Sequence, residues 1–117
     1  MSNITIKGRL TKDFTVNSTK SGFKFAKTGI AETNRYKNAA GETKEEVRFF
    51  NVEAKGKRAE RFVQLAGKGK LVRIDGYLDM EKWQDKDGKN RESVKIMILD
   101  MAPIDTSAYA KKEEKAA

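Results

Sequence analysis

Hydrophobic and polar residues alternate along much of this chain, with the two-residue period that is typical of β-strands. The longest such run covers residues 71–83. Trp83, the only tryptophan, falls on the charged face of this predicted strand, just before a turn at residues 85–88. The opposite face is predicted to point into a core and carries Val72, Ile74, Gly76, Leu78 and Met80.

The first half of the chain predicts three more extended segments. Residues 4–10 alternate, with their isoleucines and Leu10 inward, and a turn cluster at residues 17–22 separates them from a second strand at residues 23–36. Residues 37–42 predict an exposed loop, and residues 47–55 a third strand.

A change of period follows the third strand and predicts a short helix that ends at Gly67. After the strand at residues 71–83, a hairpin at residues 87–88 returns the chain through residues 94–101. Five strands, with one helix between strands 3 and 4, are the layout of an all-β oligonucleotide-binding barrel. The predicted apolar face of the helix carries Ala59, Phe62, Val63 and Ala66.

Length and composition exclude several classes of protein. The 117 residues suit one domain and contain neither cysteine nor histidine, which argues against disulfides, thiolate metal sites and histidine catalysis. No nucleotide-binding loop or metal-ligand cluster is evident, and Asp85 and Asp87 are better explained as turn residues. We therefore expect a non-enzymatic protein without cofactor or metal. With no membrane-length apolar run and no signal-peptide layout, we expect it in the cytoplasm.

Positive charge is concentrated in two parts of the chain. Lysine and arginine exceed aspartate and glutamate by 25 − 17, or +8. Residues 7–27 carry six cations against one acid, and residues 55–73 carry seven against one. Such blocks indicate a binder of polyanions, although lysines that only keep a small sheet protein soluble would look the same.

Several short segments, in this order and spacing, resemble the bacterial and phage single-stranded DNA-binding proteins of the replication type. The similarity extends over residues 3–104 and implies an oligonucleotide-binding barrel that coats single-stranded DNA without strong sequence preference. It also implies a homo-oligomer, with a tetramer favoured and a dimer as the alternative. The segments that carry the resemblance are residues 8–13, 21–22, 34–38, 41–42, 49–52, 69–72, 75–76, 87–88, Trp83 and Arg91.

The resemblance, carried over residue by residue, implies base-stacking aromatics at Tyr36, Phe49 and Trp83. A fourth stacking position of the family corresponds to Lys55, so the path of the DNA is expected to differ there. Tyr36 has an alternative role, because it ends a predicted strand and would also serve as a cap on the barrel.

Strand alternation sends only one of the neighbours Phe49 and Phe50 outward. Phe50 shares its face with Val52, which leaves Phe49 for DNA, and a shift of one residue would exchange the two. Three other phenylalanines are interpreted as packing residues: Phe23, Phe25 and Phe62, of which Phe62 is predicted to fill the barrel.

Cations on the predicted outward faces are the candidates for phosphate contacts. Asp79 and Glu81 lie on the same face as Trp83 and argue against close phosphate contact there, unless they pair with Lys82 or a neighbouring strand. The predicted groove consists of Lys7, Arg9, Arg35, Lys37, Lys55, Arg73, Tyr77 and Arg91.

We therefore expect residues 1–104 to form a domain that binds single-stranded DNA in replication, recombination and repair. Residues 105–117 are expected to form a short flexible tail of no net charge, which does not support recruitment of replication proteins through an acidic tip. An RNA-binding module of the same fold and a protein-interaction scaffold remain alternatives. Phage, plasmid and chromosomal origins all remain open.

Overall fold

The computed structural model describes residues 3–104 and contains six strands and one helix. We number them in chain order. The elements are β1 (Ile4–Leu10), β2 (Thr15–Ser18), β3 (Lys24–Lys37), β4 (Thr43–Lys55), α1 (Lys57–Leu65), β5 (Leu71–Gln84) and β6 (Asn90–Pro103).

Five long strands close into a barrel. β1 pairs antiparallel with β5 along residues 4–9, and it also pairs with β3 at Arg9 and Leu10. The ring is completed by the β5–β6 and β3–β4 hairpins and by a parallel contact between β4 and β6, at Val52 and Glu53. The predicted five-stranded oligonucleotide-binding barrel is thus confirmed, with its helix between the third and fourth long strands.

The short strand β2 was missed by the sequence analysis. Asn17 and Ser18, which were predicted to lie in a turn, instead pair with Phe25 and Lys24 of β3. The actual turn is stabilised by the side chain of Thr19, which accepts a hydrogen bond from the amide of Phe23. Polar residues in a four-residue edge strand carry no period by which they can be told from a turn.

The core lies inside the barrel and follows the predicted alternation. Ile6 and Leu10 of β1 are buried, and Phe62 of α1 is fully buried beneath the helix, as predicted. Phe62 lies in one cluster with residues from every long strand. That cluster includes Ala26, Ile30, Val52, Ala54, Val72, Ile74, Ile96, Ile98 and Met101.

Two glycines inside strands are required by close approaches of the backbone. A side chain on Gly8 would collide with the carbonyl oxygen of Ala31, where β1 crosses β3. A side chain on Gly76 would collide with the carbonyl oxygen of Met97, at the β-bulge in the β5–β6 ladder. Both glycines therefore permit the sheet to bend into a barrel.

Both long hairpins extend beyond the barrel. We call residues 32–48 the β3–β4 arm and residues 77–95 the β5–β6 arm. The prediction that Leu78 and Met80 point into the core was wrong, because both are about half exposed. They continue the inward face of β5, but the barrel core ends near Gly76, where the bulge lies, and nothing else within residues 3–104 covers them.

Candidate nucleic-acid interface

The outer face of the barrel carries the side chains that alternate with the core. Phe49 lies on this face and is 71% exposed, whereas its neighbour Phe50 packs against the core. The orientation predicted for this pair is therefore confirmed. A large ring held this far out in water contributes little to folding and offers a flat surface to a ligand.

Trp83 also lies on the outer face, near the tip of the β5–β6 arm, and is 48% exposed. Its cross-strand partner is Arg91. The Arg91 guanidinium donates a 2.9 Å hydrogen bond to the carboxylate of Asp85, which also accepts the amide of Lys89. These two contacts lower the pKa of Asp85, the Arg91 contact most. They close the turn next to the indole.

Tyr36 is as exposed as Trp83 but points differently from Phe49. The β3–β4 ladder is unbroken from Phe25 to Lys37, with Ala31 opposite Phe49 and Tyr36 opposite Lys44. Because side chains alternate along a strand, Tyr36 and Phe49 lie on opposite faces of this hairpin. A nucleic-acid strand whose bases stack on both rings has to pass around the arm.

Three of the predicted groove cations meet on β1 and β5. Lys7 lies directly opposite Arg73 in the β1–β5 ladder, and Arg73 is 3.6 Å from the carboxylate of Asp75. Arg9 donates a hydrogen bond to the carbonyl oxygen of Gly69. Arg9 also pairs with Ala31, the residue opposite Phe49, so cation and ring flank one small side chain in a single row.

The remaining groove residues are spread over the other strands. Arg35 is 3.5 Å from Glu45 on the β3–β4 arm, and Lys37 lies at the tip of that arm. Lys55 ends β4 opposite Phe25. Tyr77 is half-buried at the base of the β5–β6 arm, opposite Met97. The structure therefore brings the predicted cations to the outer face and the arms, but not into one cluster.

Glu53 is a buried carboxylate on the outer face that sequence reasoning did not single out. Its oxygens lie 3.1 Å from the ammonium of Lys95 and 3.5 Å from that of Lys27. A buried charge is costly unless it is paired, and here two lysines share it. The available signal was an acidic residue at an outward position of β4, flanked in sequence by buried Val52 and Ala54.

Phe23 and Phe25, which were interpreted as packing residues, pack against each other outside the buried core. Phe23 is about half exposed and Phe25 is partly exposed, and neither belongs to the buried core cluster. Their ring centroids are 5.1 Å apart with an interplanar angle of 79°. Phe25 follows the outward parity of β3, since Ala26 and Thr28 point inward, and Phe23 directly precedes the strand.

Asp79 and Glu81 do not pair with Lys82, which instead lies 4.0 Å from Glu92. Asp79 accepts a hydrogen bond from the amide of Met80. Glu81 lines an open cleft together with Lys27 and Lys95. Glu81 makes no ion pair with any of residues 3–104, and Lys27 and Lys95 pair with Glu53 instead. The pairing that would make a nearby phosphate tolerable at Glu81 is therefore not observed there.

Among residues 3–104, no group of three or more histidine, cysteine, aspartate or glutamate residues is placed to hold a metal ion. Within the same residues, no helix is long and apolar enough to cross a membrane.

Comparison with known proteins identifies the family. The sequence profile of the single-strand binding protein family matches residues 1–104. The chain belongs to this family. Among family members, a single-stranded DNA-binding protein of Aquifex aeolicus is 40% identical over 98% of this chain and 80% of its own length. One from Helicobacter hepaticus is 33% identical over 88% of this chain, which spans 61% of that relative.

Solved structures of single-strand binding proteins share the fold. A deletion mutant of the single-stranded DNA-binding protein from Thermus aquaticus superimposes with a TM-score of 0.77 at 23% identity, over 90% of this chain and 51% of that one. The Plasmodium falciparum single-strand binding protein in complex with single-stranded DNA gives a TM-score of 0.80 at 17% identity, over 90% and 96%.

Proposed function

We propose that this protein binds single-stranded DNA without strong sequence preference and coats exposed strands during replication, recombination and repair. The observation that carries the proposal is the placement of Phe49 and Trp83, two exposed rings on the outer face of an oligonucleotide-binding barrel. The names of the bacterial relatives support it. Coating is reversible and involves no chemical step.

Tyr36, Phe49 and Trp83 stack on bases in this proposal. Every base has a flat π-face, so stacking holds any sequence, and each contact contributes about 1–3 kcal/mol. The exposure of all three rings supports this role. The opposite orientation of Tyr36 and Phe49 means that the DNA wraps around the β3–β4 arm rather than following one flat face.

Phosphates are neutralised by the groove cations, with Lys7, Arg9 and Arg73 on the barrel and Arg35 and Lys37 on the β3–β4 arm. Several of these cations contact carboxylates or carbonyls in the free protein. Those exposed ion pairs are weak and exchange readily for a phosphate. Each phosphate contact lowers the slope of log affinity against log salt by about 0.7.

Self-association of this chain, with a tetramer favoured over a dimer, is the second part of the proposal. Leu78, Met80 and Val94 share one face of the β5–β6 arm and are 46%, 50% and 53% exposed. We call these three residues the apolar strip. A contiguous exposed apolar surface is typical of protein contacts, and a second copy offers the same strip in return.

The bacterial cytoplasm is the proposed site of action, as the bacterial relatives suggest, and the origin of the gene is left open. Residues 105–117 lie outside the described residues. The prediction made for these residues from the sequence therefore stays untested.

The decisive experiment follows Trp83 fluorescence while oligo-dT, oligo-U and a duplex are added at two salt concentrations. Strong quenching by oligo-dT that weakens at the higher salt concentration is expected, since stacking quenches the indole and phosphate contacts are screened. Light scattering on the same sample gives the number of subunits.

Two other results of this titration would each favour a different function. An equal response to oligo-U would favour an RNA-binding module, because stacking and phosphate contacts do not exclude a 2′-hydroxyl. No response to any strand would contradict nucleic-acid binding and favour a protein-interaction scaffold.

A further inference from the structure

We propose that Phe25 is a further nucleobase-stacking residue, in a cleft between the base of the β3–β4 hairpin and the β5–β6 arm. The inference rests on the proposed binding of single-stranded DNA. It adds a stacking position at the end of the sheet opposite the tip of the β3–β4 arm, where Tyr36 lies.

The position of Phe25 is set by three strands. Its cross-strand neighbours are Asn17 of β2 and Lys55 of β4, and all three side chains line the same cleft. The nearly perpendicular contact with Phe23 holds the ring in place. In such an arrangement Phe23 covers at most one face of the Phe25 ring, and the partly exposed ring also lines the cleft.

Folding alone does not account for an aromatic residue here. The buried core cluster is built from all five long strands and α1 without Phe25. Phe25 instead lies in a row of outward residues whose next member is Lys27. A ring on the wet face of a sheet beside cations is suited to stacking.

The walls of the cleft carry three lysines against two acids: Lys27, Lys55 and Lys95, with Glu53 and Glu81. Its volume is about 270 Å³, just under the range of roughly 300–1,000 Å³ found for enclosed small-molecule sites, and it is open on one side. Lys55 makes no ion pair with any of residues 3–104, so its ammonium is available to a phosphate. Such a cleft suits a single base of a strand that continues on both sides.

Glu53 orients the other two lysines of the cleft. It holds Lys27 and Lys95 from β3 and β6, at 3.5 and 3.1 Å, and is itself buried. This contact joins the wall formed by β3 and β4 to the base of the β5–β6 arm. Glu53 is therefore a positioning residue that maintains the width of the cleft and does not itself contact DNA.

The test uses a single-tryptophan reporter in the full chain. Trp83→Phe removes the natural indole but keeps an aromatic ring, and Phe25→Trp in the same chain then places the only indole in the cleft. Titration with 5′-labelled oligo-dT is followed by anisotropy of the label and by fluorescence of the indole. Quenching that follows the anisotropy rise is expected. The matched control is Trp83→Phe with Leu65→Trp, an exposed position on α1 that does not line this cleft.

The outcomes separate this inference from the proposed function. An anisotropy rise without quenching beyond that of the Leu65→Trp control would overturn the role of Phe25 and leave single-stranded DNA binding intact. No anisotropy rise with the unsubstituted protein would overturn the proposed function, and the role of Phe25 with it.

A second variant measures what the ring contributes. Phe25→Leu keeps an apolar side chain but removes the flat face, and the affinity for oligo-dT is expected to fall at least about 5-fold. Phe23→Leu, the same change outside the lining of this cleft, is expected to have a smaller effect. Thermal unfolding of each variant checks that the barrel is intact. Unchanged affinity in a folded Phe25→Leu protein would overturn the inference.

Discussion

The two arms have the same hairpin architecture but carry different surfaces. The β3–β4 arm is mostly polar on both faces apart from the exposed Tyr36 and Val47, with exposed ion pairs such as Arg35–Glu45 and Arg48–Glu46. The β5–β6 arm has one polar face, which ends in Trp83, and one face that carries the apolar strip.

This difference assigns the two parts of the proposed function, DNA binding and self-association, to different surfaces. Exposed ion pairs contribute about 0–1 kcal/mol each, so the β3–β4 arm is stabilised mainly by its unbroken backbone ladder. Its mostly polar surface needs no partner to cover it. The apolar strip leaves hydrophobic surface in water, which favours association. We infer that the first arm serves DNA alone, whereas the second serves DNA on one face and another copy of the chain on the other.

The largest expected effect comes from placing charges on the apolar strip. Met80→Lys with Val94→Lys, a cross-strand pair, would bury two unpaired charges in the proposed contact between copies. Each such charge costs several kcal/mol, so self-association should weaken at least 100-fold and the protein should dissociate. Light scattering coupled to size-exclusion chromatography measures the mass.

The β3–β4 arm provides the matched control for that change. Thr33→Lys with Val47→Lys alters another exposed cross-strand pair by the same charge, and the mass should remain that of the unsubstituted protein. If the Met80 and Val94 variant also kept its mass, the apolar strip would not be the contact between copies.

The next largest effect concerns the polar face of the β5–β6 arm. Trp83→Ala should weaken binding to oligo-dT by about 1–3 kcal/mol, or roughly 5- to 150-fold, because a stacking surface is lost. Labelled-oligonucleotide anisotropy measures the affinity. The melting temperature should fall by less than about 4 °C, as expected for an exposed side chain. A much larger drop would mean that Trp83 is a packing residue.

Smaller effects are expected on the β3–β4 hairpin, where the rings of Tyr36 and Phe49 are smaller than an indole. Tyr36→Ala and Phe49→Ala should each weaken binding by about 1 kcal/mol. The two residues are five ladder positions apart, or about 17 Å, so their effects should add within about 0.5 kcal/mol in the double variant. A normal affinity of Tyr36→Ala would show that the DNA does not wrap around the arm.

The smallest effect is a pH dependence at the tip of the β5–β6 arm. Arg91 and the backbone amides lower the pKa of Asp85 below its usual 3.8, so the ionised carboxylate stabilises the folded turn. This stabilisation is fully present above pH 3.8 and is lost as the pH falls through the lowered pKa of the native turn. Trp83 fluorescence, which reports on the neighbouring turn, should therefore be constant from pH 5 to 8 and change only in acid.

Asp85→Asn is the control for this titration. It preserves an oxygen for the amides of Asp87 and Lys89 but removes the charge that pairs with Arg91. The acid transition should be absent in this variant. A transition that persisted would have to come from another carboxylate.

Much of the fold was predictable because the barrel has a strict period. Strand alternation placed Ile6 and Leu10 inward and separated Phe49 from Phe50, and the helical spacing identified Phe62 as the residue that fills the barrel. The short strand β2 escaped because its four residues at a sheet edge contain only one apolar residue, Val16, which is too few to show a period.

The candidate site was predicted less completely, because position along a strand does not reveal how far the core extends. Leu78 and Met80 continue a buried face beyond the end of the barrel, where nothing else within residues 3–104 covers them. Phe25 was assigned to packing by its hydrophobicity, although its parity placed it outside. Glu53 became notable only once Lys27 and Lys95 were found on either side of it.

The sequence by itself determined that strands alternate, that one helix interrupts them and that Trp83 lies on a charged face, because these are local properties of spacing. Which strands meet was decided only by the tertiary structure. It brought Phe25 of β3 beside Lys55 of β4 and placed Glu53 between two lysines from different strands. It also placed Tyr36 and Phe49 on opposite faces of one hairpin. Such neighbours depend on long-range register and on where the barrel closes, which no local period contains.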